Sequence, residues 1–379
     1  MAARAEVSHP VGARLELEAG PVAHGGHVVA RTQEGQVVFV RHALPGERVV
    51  VEVTETPTKK GGRFLRADAV EVLTPSPHRV VPPCPYAGPG RCGGCDFQHV
   101  DPAEQRRLKA SVVEEQLRRL AGIERQVEVE EVEPILRWRS RMRYVDLGEG
   151  RLGLRKHRSH EVVEIDDCLI DATSSVVERS RDHAVMTETV ETTYGTRTYG
   201  VAADGFWQPH VEAPRVLVEA VLDLARPQVG ERVLDLYSGV GLFSAFLAQA
   251  VGPRGSVTAV EGDHAASRHS RRNLADLPQA RTIGATVEEA FRRGLGEADL
   301  VVLDPPRVGA KRPVVQAIAG LRPRAVAYVA CDPAALARDL GYFAEHGYRL
   351  DALRAFDLFP MTHHVECVAV VVPEEPSRT

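Results

Sequence analysis

Two hydrophobic rhythms divide this chain. Up to about Leu73, apolar and polar residues alternate in short runs, at 13–17, 27–30, 36–40, 48–53 and 66–72, separated by glycine-bearing turns. Alternation with period two predicts strands, and several short strands in succession predict a small closed or nearly closed barrel. Beyond Gly230 the rhythm changes. Apolar runs near Val233, Val257, Thr282, Val301, Val326, Leu350 and Val368 alternate with helical stretches. The runs 300–303 and 326–329 are apolar on both faces, as buried parallel strands require. No helix separates the last two runs, which predicts an antiparallel hairpin at one edge of the sheet. Between these regions, Leu108, Val112, Val113, Leu117 and Leu120 recur with helical spacing and predict an amphipathic helix over 102–121. The proline-rich stretch 74–83 reads as a linker, and 127–200 reads mainly as strands. The expected organisation is a barrel domain at 1–73, a central domain at 74–200 and an α/β domain at 201–379.

Composition narrows this picture modestly. The 379 residues are 44% hydrophobic and 26% charged, ordinary for globular proteins. A net charge of -5 and a pI near 6.3 argue against a uniformly basic coat, so contact with nucleic acid has to be local. Two places offer it. Arg137, Arg139, Arg141 and Arg143 occupy alternate positions, and on a strand all four guanidinium groups project from one face, suited to phosphates. Lys59 and Lys60 flank a glycine turn of the barrel with Arg63 and Arg66. No apolar stretch flanked by basic residues occurs in 1–10 and no run is long enough to span a bilayer, so a cytoplasmic protein without membrane contact is expected.

The chemistry concentrates in the last domain. Asp235-Leu236-Tyr237-Ser238-Gly239-Val240-Gly241 follows a predicted strand and opens a helix, where glycines admit a ligand to the main chain and helix amides face it. Glu261, at the tip of the next strand, stands about 20 residues on, where a carboxylate binds ribose hydroxyls. These two features suit a nicotinamide cofactor equally well. Asp304-Pro305-Pro306 decides for methyl transfer from S-adenosylmethionine, because the prolines fix the turn and Asp304 supplies an acceptor. Cys331, ending the run 325–330, is then a nucleophile delivered to the ligand edge of the sheet. Glu366, opening the last strand, is its proton acceptor. Cys367, inside that strand, reads as a core residue.

Cys84, Cys92 and Cys95 lie close together with glycines between, and Cys168 follows after a long gap. Four thiols in a chain expected in a reducing compartment point to a metal rather than to disulfides, and their spacing leaves a four-iron cluster and tetrahedral zinc both open.

Together these residues resemble the uracil-C5 RNA methyltransferases, in the branch that carries an amino-terminal TRAM domain and a [4Fe-4S] cluster. The resemblance covers nearly the whole chain. It implies an α/β fold with a Rossmann-like class I methyltransferase domain, an OB-like TRAM barrel and a central α+β iron-sulfur domain. It assigns Phe206-Trp207-Gln208 to a cofactor-binding F-x-Q motif, with Gln208, Tyr237, Gly239, Glu261 and Asp304 on S-adenosylmethionine. By the same likeness Cys84, Cys92, Cys95 and Cys168 hold the cluster, and the helix near 108–120 packs on the catalytic domain. His210, Ser238, Asp332 and Leu242 depart from the family's usual residues. The expected activity is uridine C5 methylation in structured RNA, by a monomer, with 23S ribosomal RNA favoured over transfer RNA. A non-catalytic RNA-binding protein or chaperone is the competing class.

Overall fold

The computed structural model describes residues 9–56, 64–173 and 185–374. Lys59, Lys60 and Arg63 lie outside the described residues. Along the chain the strands of the first region are β1 (Arg14–Glu18), β2 (Val22–Ala23), β3 (His27–Arg31), β4 (Val37–Arg41), β5 (Arg48–Glu55) and β6 (Leu65–Thr74). They are followed by α1 (Pro102–Gln116), β7 (Val129–Glu130), β8 (Val145–Gly148), β9 (Arg151–Arg155), β10 (Val162–Ile165), β11 (Val185–Thr192) and β12 (Gly195–Ala202). The rest alternates: α2 (Ala213–Ala225), β13 (Arg232–Leu236), α3 (Leu242–Val251), β14 (Ser256–Glu261), α4 (His264–Asn273), β15 (Ala280–Gly284), α5 (Val287–Arg293), β16 (Leu300–Leu303), α6 (Lys311–Leu321), β17 (Ala325–Ala330), α7 (Pro333–Ala344), β18 (Tyr348–Phe356) and β19 (Glu366–Pro373). Two compact units interleave in sequence. The first holds the residues up to Val112, Met142–Ile170 and Phe359–His364; the second holds Val113–Arg141, Asp171–Leu358 and the residues from Val365 on.

In the first unit six strands form a sheet of order β1-β5-β6-β4-β3-β2. Their alternation puts Leu17, Val28, Val38, Val40, Val49, Val51, Val53 and Leu65 into one core. Hydrogen bonds from Gly20 N–H to the Val29 carbonyl and from Val29 N–H to the Pro21 carbonyl, both 2.9 Å, curl the sheet back on itself. The stretch 74–83 is no free linker. Buried Glu47 accepts from Ser76 N–H at 3.0 Å and from both Arg79 Nε and Nη2 at 2.6 Å, so the prolines run along the barrel.

In the second unit eight strands run in the order β15-β14-β13-β16-β17-β19-β18-β7. β13 through β17 are mutually parallel, and β19 is antiparallel to both β17 and β18. The antiparallel hairpin therefore exists, but it is not the edge. Two-residue β7 adds parallel to β18, and Arg354 clips it with hydrogen bonds of 2.8 and 2.7 Å to Glu130. Strand order reverses between β14-β13 and β13-β16. Open sheets of this kind bind ligands beyond the carboxyl ends of their strands at such a reversal.

The π-helical turn Leu117–Ala121, which follows α1, packs on α7.

Candidate active site and cysteine set

The carboxyl edge of the second unit's sheet is built by loops that the strand ends present. After β13 the chain turns through Tyr237 (φ +60°), Gly239 (φ +55°) and Gly241 (φ +92°) into α3. Left-handed backbone is free for glycine and strained for tyrosine. Gly239 N–H donates to Glu261 Oε2 at 2.8 Å, and Asp263 N–H to Glu261 Oε1 at 2.6 Å, so one carboxylate ties the β13 loop to the β14 loop. Beneath the loop Asp235 is fully buried. Burial pushes its carboxyl up to about 7, opposed by the hydrogen bond from Ser244 and reinforced by the charge of Asp304. Asp235 Oδ1 and Ser238 Oγ are buried without a hydrogen-bond partner.

Gln208 is buried, and its Nε2 donates to Asp304 Oδ2 at 3.2 Å. Ser140 fixes the backbone around it, with N–H to the Pro209 carbonyl at 2.8 Å and Oγ to the Gln208 carbonyl at 3.0 Å. Phe206, two positions earlier, is 70% exposed.

Strand register brings the two expected catalytic side chains together. Ala330 of β17 pairs with Cys367 of β19, so the next antiparallel step sets Cys331 beside Glu366. Burial pushes the Cys331 thiol up to about 12, with the charges of Glu366 and Asp304 adding and Arg307 opposing. Burial also holds the Glu366 carboxyl well above its ordinary range, again with Asp304 adding and Arg307 opposing. Arg307 is thus the one cation acting on both groups that the sequence reading left out. Asp332 caps α7, accepting from Ala335 N–H at 2.8 Å ahead of Pro333. Cys367 is fully buried in the sheet. A thiol, an elevated carboxyl group and a guanidinium at one sheet edge can add sulfur to an electron-poor ring and remove a proton afterwards. The acceptors at the same edge, Asp235, Glu261 and Asp304, suit a cationic ligand with ammonium and hydroxyl donors.

The four remaining cysteines lie in the first unit. Cys92 bridges to Lys156 and its N–H donates to the Tyr86 carbonyl at 3.0 Å. Tyr86 Oη donates to Asp166 Oδ2 at 2.8 Å, which draws the stretch before Cys168 to the loop 84–95. Burial raises the Cys95 thiol to about 12; a hydrogen bond from Gln98 opposes this, and Cys168, Cys92 and Cys84 add to it electrostatically. Gly94 N–H approaches Cys92 Sγ at 3.4 Å. Among the described residues no three such side chains are already drawn up as metal ligands. Four cysteines have the composition of a thiolate-bound metal site.

The arginine row is not a strand. Arg137 has φ +57° and Trp138 is buried, stacked on His210 at 5.7 Å and 8°. Arg141 Nη1 donates to the carbonyls of Ala202, at 3.2 Å, and Gly205. Arg139 Nε donates to the Arg141 carbonyl at 3.2 Å. The four guanidinium groups therefore do not share a face; Arg137 and Arg143 are exposed, and Arg139 and Arg141 are half-buried and engaged.

Comparison with known proteins agrees along the whole chain. Residues 11–70 match the TRAM domain, 212–325 the Methyltransferase small domain and 295–373 the tRNA (Uracil-5-)-methyltransferase family. A protein of Streptomyces coelicolor named as an uncharacterized RNA methyltransferase is 46% identical, over 97% of this chain and 95% of its own. The chain belongs to the uracil-5 RNA methyltransferase family. A second such RNA methyltransferase, of Streptomyces avermitilis, is 45% identical over 96% of this chain and 99% of its own. The fold of this methyltransferase is shared with the Pyrococcus abyssi tRNA (uracil-54, C5)-methyltransferase, solved with S-adenosyl-L-homocysteine, at 22% identity and a TM-score of 0.66 over 94% of this chain and 99% of that one. It is an S-adenosylmethionine-dependent RNA methyltransferase with a TRAM domain for its RNA partner. Among the described residues no helix is long and apolar enough to cross a membrane.

Proposed function

We propose that this methyltransferase converts uridine to 5-methyluridine in structured ribosomal RNA through a covalent enzyme–RNA adduct. The observation that carries the reading is the register of β17 and β19, which sets Cys331 beside Glu366. S-adenosylmethionine supplies an electrophilic methyl group on a sulfonium. Gln208, Tyr237, Gly239, Glu261 and Asp304 hold it, with Glu261 and Asp304 accepting from its donors.

Cys331 gives up its proton to water and its sulfur, as thiolate, bonds to C6 of the uracil, which pushes the C5–C6 electron pair onto C5 and O4. C5 takes the methyl group as the sulfonium carbon–sulfur bond breaks. Glu366, as carboxylate, then removes the C5 proton; the pair left behind restores the C5–C6 double bond and expels the Cys331 sulfur. Burial biases both groups toward their protonated forms, so the Arg307 cation, which favours the ionised form of each, is what makes the first step accessible. Phe206 offers its exposed ring to a nucleobase drawn out of the RNA, and Arg137 and Arg143, with Lys59 and Lys60, contact phosphates.

Cys84, Cys92, Cys95 and Cys168 hold a [4Fe-4S] cluster. Their electrostatic reach of one another and the N–H groups of Gly94 and Gln98 aimed at two of the sulfurs support this assignment.

Incubating the protein with methyl-labelled cofactor and total RNA, then mapping the label, tests the reading. Label on C5 of a ribosomal uridine, lost in Cys331→Ala, is expected. Transfer RNA is the second outcome, favoured by the description of the family that matches 295–373. Methylation retained in Cys331→Ala overturns the covalent route.

A further inference from the structure

The loop that follows β16 carries Asp304 at one end and Arg307 in its middle, and the helix α7 starts two residues after Cys331. One buried carboxylate joins the two. Asp339 of α7 is fully buried and accepts from Tyr328 Oη at 2.8 Å and from Lys311 N–H at 3.1 Å. Its other oxygen accepts from Arg338 Nε at 2.9 Å and Nη2 at 2.7 Å. Tyr328, in the centre of β17 three residues before the nucleophile, in turn accepts from Ala310 N–H at 3.0 Å. Arg338 Nη2 reaches back to the Val308 carbonyl at 2.8 Å. Gly309, with φ +73°, passes so close that a Cβ there would stand 2.5 Å from Asp339 Oδ2. The Val308 carbonyl and the Ala310 and Lys311 N–H groups thus end on Asp339 directly or through Tyr328 or Arg338.

A carboxylate and a phenol taken wholly out of water are a costly way to pack a sheet, and apolar residues of the same shape would hold β17 and α7 together at least as well. What an apolar pair cannot do is specify the path of a polar loop. We infer that Asp339 is a positioning residue for catalysis: through Tyr328, Arg338 and the close passage of Gly309 it fixes the 304–310 loop, and so the Arg307 guanidinium, relative to Cys331. The inference rests on Cys331 being the nucleophile proposed above.

Three variants test it from different sides. Tyr328→Phe removes one hydroxyl, Asp339→Asn removes the charge while keeping the shape, and Gly309→Ala drives a methyl group into Asp339. Each is compared with the wild-type chain for turnover of labelled cofactor, for cofactor binding by calorimetry, and for the rate at which 5-fluorouridine RNA is trapped as an adduct. Misplacing a catalytic group by about 1 Å costs on the order of a hundredfold. The expected result is adduct formation and kcat slowed by about tenfold or more in all three, with cofactor affinity held within about threefold. A contribution to folding alone would lower the melting temperature and leave adduct formation by the folded fraction at the wild-type rate, and that outcome overturns the inference. Should Asp339→Asn not fold, Tyr328→Phe and Gly309→Ala decide by the same rates. If the wild-type chain itself forms no adduct, the covalent reading fails instead, which keeps the two failures apart.

Discussion

At the scale of single residues, the site is held in a state that the fold does not favour. Glu366 is buried beside Asp304, so ionising it sets two carboxylates against each other with little water to help. Its folded carboxyl lies above the ordinary value near 4.5, and the sign of the linkage follows. Below that value both the folded and the unfolded chain keep the proton, and stability is whole. As pH rises, the unfolded chain ionises first and gains, and stability falls until the folded carboxyl too has titrated. Replacing Glu366 by glutamine removes the liability. Thermal unfolding from pH 4.5 to 9 is expected to show Glu366→Gln gaining on the wild-type chain, by on the order of 1 kcal/mol or more, about 2–4 °C in melting temperature. Equal curves at every pH contradict a buried, elevated carboxyl. If Glu366 is the proton acceptor proposed above, the same variant is expected to stall after methyl transfer.

At the scale of elements, legibility tracked burial. The strands β13, β14, β16 and β17 could be placed from apolar runs alone, because a parallel strand covered on both faces has no choice of composition. The placement of Cys331 and Glu366 at strand ends was readable because each follows or opens an apolar run, and strand ends are where side chains leave the core. The row from Arg137 to Arg143 misled because alternation is a strand signal only if the intervening residues form one face. Here the intervening Trp138 is an anchor stacked on His210, and the chain bends around it. A lone tryptophan among arginines was the available warning. This gives a division that can be measured. Arg141→Ala is expected to cost about 1.5–3 kcal/mol of stability, the range for hydrogen bonds from a charged group, while leaving the salt dependence of RNA binding unchanged. Arg143→Ala is expected to leave unfolding unchanged and to lower the salt slope of RNA binding by about one. Exchange of those two phenotypes refutes the assignment. Other elements were beyond reach of any pattern. β7 has two residues, too few for a rhythm, and its pairing with β18 depends on Arg354 and Glu130, which are 224 positions apart.

At the scale of the whole molecule, the chain's order and its units disagree, and the reason lies in polar contacts of long range. The segment Phe359–His364 leaves the α/β sheet between β18 and β19 and belongs to the first unit. There Met361 N–H donates to Gln105 Oε1 at 2.9 Å, the amides of Asp96 and Phe97 donate to the Met361 carbonyl at 3.0 and 2.9 Å, and His363 Nδ1 meets Asp96 Oδ2 at 2.6 Å. Asp96 follows Cys95 directly, so this segment is fastened to the loop that carries three of the four clustered thiols. With Cys95 raised to about 12 by burial, that thiol keeps its proton in the absence of metal and must shed it to bind one. Metal affinity therefore rises with pH, and the energy of binding is returned as stability of the folded loop. Protein purified without oxygen is expected to be brown, with about four iron and four sulfide per chain. It is expected to melt higher than the same protein after chelation, with the difference widening from pH 6 to 8. Cys168→Ser is expected to lose both the colour and that difference while the barrel's strands persist. Stoichiometric zinc without iron in the anaerobic preparation sinks the cluster assignment, and a melting temperature indifferent to metal sinks the claim that these four sulfurs brace the first unit.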